Sequence, residues 1–237
     1  MSIIIHPTAV SEFLPSDILG NGLLLLSGDP GNDADWAPLF APPLNIRRVV
    51  RCLPDAPTRS SRLGGLRKPF HENFSIFHVP VEDKPSASIE QYFMDATKFI
   101  ENGIAAGVRT LVHCGAGVSR SASIVIAYLV SQCNMTLAES LAKVQKARPV
   151  VNPNQGFLTQ LMDFEVKVRG VSSSSVDADE YYLTKMEQRF RQRLSPNELR
   201  GIYFSNDCNK DHTKFKVTVM ELLQRKARDA KHAFPKS

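Results

Sequence analysis

The stretch from Thr110 to Val130 constrains this chain more than any other. Leu111-Val112, preceded by Val108, is an apolar run that reads as a buried strand. Ser121-Ala-Ser-Ile-Val-Ile-Ala-Tyr-Leu-Val130 reads as a buried helix. Between them Gly115, Ala116, Gly117, Val118 and Ser119 form a short loop, with Cys114 at its entry and Arg120 at its exit. A strand, a tight loop and a helix N-terminus make an anion site. The loop amides turn inward and the helix dipole adds partial positive charge. Gly115 and Gly117 allow a close backbone approach to a ligand.

The residue types in that loop point to one chemistry. Loop amides, a helix N-terminus and nearby positive charge stabilise a thiolate, which makes Cys114 the candidate nucleophile. Arg120 closes the ring, and its planar fork holds two phosphate oxygens at once, which a lysine cannot copy. Ser121 is placed to donate a hydrogen bond to the sulfur and help it leave in a second step. His113 is read as ordering the loop rather than touching a substrate. Phosphate binding falls to Gly115, Ala116, Gly117, Val118, Ser119 and Arg120.

His113-Cys114-x5-Arg120-Ser121 resembles the signature of the cysteine-dependent protein tyrosine phosphatases, and the filling Gly-Ala-Gly-Val-Ser resembles their dual-specificity branch, of the atypical kind. Ala127-Tyr128-Leu129-Val130 and the run from Arg148 to Leu161 are similar to the same group, so the resemblance covers roughly residues 20–168. It implies an α/β fold, a mixed central sheet of about five strands flanked by helices on both faces. It implies a two-step reaction through a phosphocysteine, with phosphotyrosine and phosphoserine/threonine proteins as substrates and neither metal nor cofactor. It also implies an acid on a loop about 30 residues before the cysteine. Asp83 lies 31 positions before Cys114, in Val79-Pro80-Val81-Glu82-Asp83-Lys84-Pro85, and alternation turns its neighbour Glu82 away. Alternatives remain open: a phosphoinositide or RNA 5′-phosphate phosphatase, or a low-turnover phosphoprotein-binding adaptor. The loop has no Lys or His among residues 115–119, which argues against a multiply charged lipid headgroup.

Three segments follow from composition: a lead-in at 1–20, a catalytic domain at 21–170, and a serine-rich linker with a basic, helical extension at 171–237. Residues 177–237 hold 13 Lys+Arg against 9 Asp+Glu, so most of the chain's formal charge of +5 lies there. Two readings of this tail stand side by side: a docking arm for an acidic partner, substrate or membrane surface, or an extension whose apolar face packs against the domain. No apolar run approaches the roughly 18 residues of a membrane span, and no nucleic-acid partner is expected. Cys52, Cys114, Cys133 and Cys208 show neither pairing nor metal spacing, which fits a reducing compartment, the cytoplasm or the nucleus. Cys52 is either a small buried hydrophobe or a disulfide partner for Cys114.

The remaining pattern predicts strands at Ile3–Ile5, Leu23–Ser27, Arg47–Leu53 and Phe74–Val81, and a short helix at Asp33–Phe40. A basic loop spans residues 54–73. A helix capped by Ser86 or Ser88 carries Ile89, Phe93, Ala96, Phe99, Ile100 and Ile104, with Gly103 and Gly107 ending it. Thr136-Leu-Ala-Glu139 is a capping box, and Pro153-Asn154 starts a last amphipathic helix. In the tail, helices are expected at Tyr181–Leu194, from Ser195-Pro196 onward, and at Val217–Ala230.

Overall fold

A computed structural model describes residues 14–31, 33–54 and 75–233, in two units, Met1–Ser175 and Val176–Ser237. The expected strand at Ile3–Ile5 and the basic loop beyond Pro54, with Arg59, Arg62, Arg67 and Lys68, lie outside the described residues.

The first unit is built on a five-stranded mixed sheet: β1 (Ser16–Asp17), β2 (Leu24–Ser27), β3 (Arg48–Arg51), β4 (Ser75–His78) and β5 (Thr110–His113). The spatial order is β1-β2-β5-β3-β4, with β1 antiparallel to β2 and the other pairs parallel. The central strands are short continuous apolar runs because helices cover both faces. On one face Leu25, Val49 and Leu111 meet Trp36, Leu39 and Phe40 of α1 (Asp33–Phe40). On the other, α3 (Arg120–Gln132) packs against β2 and β5, with α2 (Phe93–Ala105), α4 (Leu137–Ala147) and α5 (Gln155–Arg169) around it. Residues 121–130 are all buried, which is why that helix shows no polar face. β4 is shorter than the Phe74–Val81 pattern: Val79 N still donates to Arg51 O (2.9 Å), but Pro80 has no N–H to continue the ladder.

Two local expectations are corrected. Neither Ser86 nor Ser88 caps the turn Glu90–Tyr92 that leads into α2. Gln160 of α5 does so from a distance: its Oε1 accepts from Ile89 N (2.8 Å) and Glu90 N (2.9 Å). Gly107, at φ +67°, ends α2 as expected, but Gly103 lies inside the helix. A Cβ there would stand 2.5 Å from Thr110 Oγ1 and 2.7 Å from Arg48 Cδ. The Thr136–Glu139 capping box is present in full, and Asn154 Oδ1 caps α5 by accepting from Phe157 N.

The serine run that ends this unit is tied down. Glu165, 1% exposed, accepts from Leu137 N (2.8 Å), Ser174 Oγ (2.7 Å), Ser175 N (2.8 Å) and Ser175 Oγ (2.8 Å). Burial opposes the charge on this carboxylate, but the hydrogen bonds from Leu137, Ser174 and Ser175 outweigh it and hold the group below its usual range.

The second unit is three helices: α6 (Ala178–Phe190), α7 (Pro196–Tyr203) and α8 (His212–Ala233). Its apolar side chains close on one another: Leu183, Leu194, Leu199, Tyr203, Phe215 and Val219 form its own core. Asp177 caps α6, and Ser195 with Glu198 forms a capping box on α7 behind Pro196. The last helix begins at His212, earlier than the expected Val217, and places Phe215 and Val219, one helical turn apart, in the same core. Tyr203 donates to Asp179 Oδ1 (2.9 Å), its oxygen lies 2.8 Å from His212 Nε2, and the Tyr182 ring stacks on His212 at 3.6 Å.

Two stability predictions follow from the first unit. Glu165→Ala leaves the buried Leu137 N–H unpaired and frees Ser174 and Ser175, and is expected to cost about 3 kcal/mol in urea denaturation. The exposed control Glu82→Ala should stay within about 0.5 kcal/mol. His113 is buried at the end of β5, with its ring edge against Trp36 (centroids 5.0 Å apart). Burial first, then the charges of Arg51 and Arg120, lowers its pKa to about 3. The unfolded chain therefore takes up this proton before the folded one. The stability it confers is complete above its ordinary value of 6.5 and is lost as pH falls from there toward 3. His113→Phe should remove about 2 kcal/mol of the loss seen between pH 7 and pH 5. An unchanged acid slope would refute that account.

Candidate active site

The strand register places the site. Ser27 and Arg51 both stand opposite His113, so β2, β5 and β3 end together, and Gly28, Cys114 and Cys52 leave the sheet along one carboxyl edge. In open α/β sheets this edge is where ligands bind. Cys52 N donates to His113 O (2.8 Å), extending the ladder to the mouth of the loop.

Every loop carbonyl from Gly115 to Val118 is held by a donor outside the loop. Asp29 N binds Gly115 O (3.0 Å), Arg148 Nη2 binds Ala116 O (3.1 Å), Arg148 Nε binds Gly117 O (3.0 Å), and Asn152 N binds Val118 O (2.9 Å). A trans peptide sets its C=O and the next N–H on opposite sides. Those four bonds therefore turn the amides of Ala116, Gly117, Val118 and Ser119 the other way, toward the loop's interior. Gly117 N reports that direction, donating to Cys114 Sγ at 3.3 Å. Gly117 takes φ +67°, and a Cβ on it would stand 2.5 Å from Ser27 C. Ser121 Oγ donates to the same sulfur at 3.1 Å from the first turn of α3. The predicted nucleophile, its loop and the predicted leaving-group donor thus share one focus.

Arg120, at the start of α3, closes the ring. Its Nη2 lies within 3.4 Å of the space a Cβ on Gly115 would take. Its Nε is buried without a hydrogen bond among the described residues, and Asp83 Oδ2 stands 3.6 Å away. An unbonded guanidinium donor beside four convergent amides suits an oxyanion. Ser119 sits at the N-cap of α3 but makes no cap bond; its hydroxyl donates instead to Asp83 Oδ1 (2.7 Å). The helix N-terminus consequently has no internal acceptor, and its first turn carries no acidic residue.

Asp83 is brought to the loop as the spacing implied, held by Ser119 and by Asn154 Nδ2 (2.9 Å). Glu82 turns outward and pairs with Lys84 (2.6 Å). The loop that carries Asp83 is fastened to α5. Gly156 approaches it so closely that a Cβ would fall 1.8 Å from Pro85 O, and Gln160 Nε2 donates to Ala87 O (2.9 Å). His113 is placed by packing on Trp36; neither ring nitrogen has a partner among the described residues, and the imidazole is neutral near pH 7. Cys52 and Cys114 are both free and buried, and burial, reinforced by the charge of Cys114, pushes the Cys52 thiol well up. Among the described residues no three His, Cys, Asp or Glu side chains gather as a metal site.

Sequence reasoning missed Asp29, Arg148, Asn152 and Asn154 as parts of the site. Arg148 to Asn154 was legible as a run similar to the dual-specificity group, but no spacing rule ties it to residues more than 30 positions earlier.

Comparison with known proteins agrees with this geometry. The family model for the dual-specificity phosphatase catalytic domain matches residues 42–167. Protein phosphatase Slingshot homolog 3 of Mus musculus is 44% identical over 96 residues, 40% of this chain and 15% of that protein. Dual specificity protein phosphatase 1 of Arabidopsis thaliana is 43% identical over 100 residues, 42% of this chain and 50% of that protein. The chain therefore matches at most half the length of these two relatives. Among solved structures, human DUSP28 aligns with a TM-score of 0.53 at 25% identity, over 66% of this chain and 99% of that one. The human tyrosine phosphatase-like serine/threonine/tyrosine-interacting protein aligns with a TM-score of 0.54 at 27% identity, over 65% of this chain and 96% of that one. With the match running over β3, β4, β5, the Cys114 loop and the helices that follow as far as residue 167, more than half of the chain, this chain belongs to the dual-specificity phosphatase catalytic-domain family.

Proposed function

We propose that this chain hydrolyses phosphate monoesters on tyrosine, serine and threonine side chains of proteins, without metal or cofactor. The observation that carries the reading is the sulfur of Cys114 at the focus of a loop with every carbonyl turned outward. In the first step the thiolate attacks phosphorus and the phosphate ester bond breaks. Asp83, in its protonated form, gives its proton to the departing oxygen. The amides of residues 116–119 and the Arg120 guanidinium hold the three equatorial oxygens as charge builds. In the second step water attacks the phosphocysteine, Asp83 carboxylate takes its proton, and the S–P bond breaks. Ser121 Oγ stabilises the sulfur as it leaves. Nucleophile and acid argue against a simple phosphoprotein-binding adaptor, since binding alone needs neither.

The second unit we assign to docking on an acidic partner. Arg200, Lys210 and Lys226 spend their charge within the unit, on Glu180 and Glu187, Asp179, and Glu198. Lys214, Lys216, Arg225 and Arg228 are exposed on α8 with no ion pair among the described residues. No helix among the described residues is long and apolar enough to cross a membrane. The four free cysteines support placement in the cytoplasm, with the nucleus as the second compartment.

Turnover of phosphotyrosine and phosphothreonine peptides, an activated aryl phosphate, a phosphoinositide and a 5′-triphosphorylated RNA tests the reaction. Cys114→Ser should lose at least about a thousandfold on every substrate. Asp83→Ala should lose about a hundredfold on phosphothreonine and far less on the aryl phosphate. Equal losses on both would reassign the acid, and preference for lipid or RNA would replace the protein-substrate reading. Reversing Lys214, Lys216, Arg225 and Arg228 to Glu should raise KM for an acidic phosphoprotein and leave KM for the aryl phosphate unchanged. Equal KM values on the phosphoprotein would remove the docking assignment.

A further inference from the structure

The chain from Arg148 to Asn154 touches the phosphate loop at three consecutive carbonyls and the acid loop at Asp83, yet contributes no group to the chemistry described above. Arg148 is its anchor. It stands just past the end of α4, in extended backbone, and is 5% exposed. A buried guanidinium is expensive unless its donors are matched. Two of its N–H groups go to adjacent carbonyls of one loop, Gly117 O and Ala116 O.

We propose that Arg148 is a positioning residue for phosphoryl transfer: its planar fork fixes two successive loop peptides so that the N–H groups of Gly117 and Val118 face the transferred phosphoryl group. The assignment rests on the phosphatase reading for its effect on turnover, but its effect on oxyanion binding stands apart from it. The loop needs such a restraint. Gly117 holds a left-handed φ, and a peptide at a glycine can flip at little steric cost. A flip would put a carbonyl where an oxyanion must sit. Two bonds from one rigid plane oppose that rotation better than a single point charge. Arg148 also lies at the C-terminus of α4, where any cation is favourable. Lysine retains that contribution and loses the fork, so Arg148→Lys separates the two roles.

The experiment measures tungstate binding to the full chain by calorimetry, kcat/KM on the aryl phosphate, and thermal melting, for wild type, Arg148→Lys, Arg148→Met and Arg148→Gly. Arg148→Lys should melt close to wild type, yet bind tungstate about ten- to a hundredfold more weakly, with a parallel fall in kcat/KM. Arg148→Met should show the same or a larger loss at a temperature well below its melting point. Millimolar methylguanidine should restore tungstate binding to Arg148→Gly, which a purely structural residue would not allow. Wild-type tungstate affinity in Arg148→Lys overturns the assignment. So does a loss that follows melting temperature and vanishes on cooling. Arg148-dependent tungstate binding in a wild type with no turnover upholds the positioning role and removes the phosphatase reading. A wild type that binds no tungstate removes both.

Discussion

Everything at this site depends on the outward capture of four consecutive carbonyls. A loop that gathers amide N–H groups toward one point must aim its carbonyls elsewhere, and buried carbonyls need donors. The fold supplies them from three places: Asp29 after β2, the side chain of Arg148, and the backbone of Asn152. With those bonds made, the sulfur of Cys114 and the guanidinium of Arg120 need little reorganisation for the reaction proposed above, in which they receive a dianion. Preorganised dipoles of this kind are the main resource available to a reaction in which the protein does little covalent work beyond one nucleophile.

The same economy explains Ser119. At a helix start its hydroxyl would ordinarily cap the first turn. Here it accepts from Asn154 N and donates to Asp83, so one side chain joins the phosphate loop, the acid loop and the entry to α5. Gln160, one turn beyond the close approach of Gly156 to Pro85, holds the far end of the acid loop. Asp83 is thus held by the N-cap of α5 as well as by Ser119, and the two loops share one support.

The second unit is organised differently. Its helices carry caps and a private aromatic core in which Tyr182, Tyr203, His212 and Phe215 contact one another. Asp179 joins that core to the surface by accepting from Tyr203 and pairing with Lys210. Leu183, Leu194, Leu199 and Val219 are buried among its own helices.

The sequence alone settled whatever depends on neighbours along the chain. The apolar periods located the strands and helices, Thr136-x-x-Glu139 and Ser195-x-x-Glu198 located helix starts, and Cys114-x5-Arg120-Ser121 located the loop, because each is a short-range pattern. Asp83 was named through the resemblance, which implies an acid about 30 residues before the cysteine; its contacts with Ser119 and Asn154 came from the fold. Tertiary structure decided the rest. Capping of the turn before α2 passed from Ser86 or Ser88 to Gln160, Gly103 proved a packing contact for Thr110 and Arg48, and the serine run was captured by the buried carboxylate of Glu165. Arg148 and Asn152 became supports of a loop some 30 residues away only because α3 and α4 fold back on one another. Hydrogen bonds of that span leave no periodic trace in a single sequence; they exist only when packing brings a donor to a carbonyl that has turned away from its own ligand.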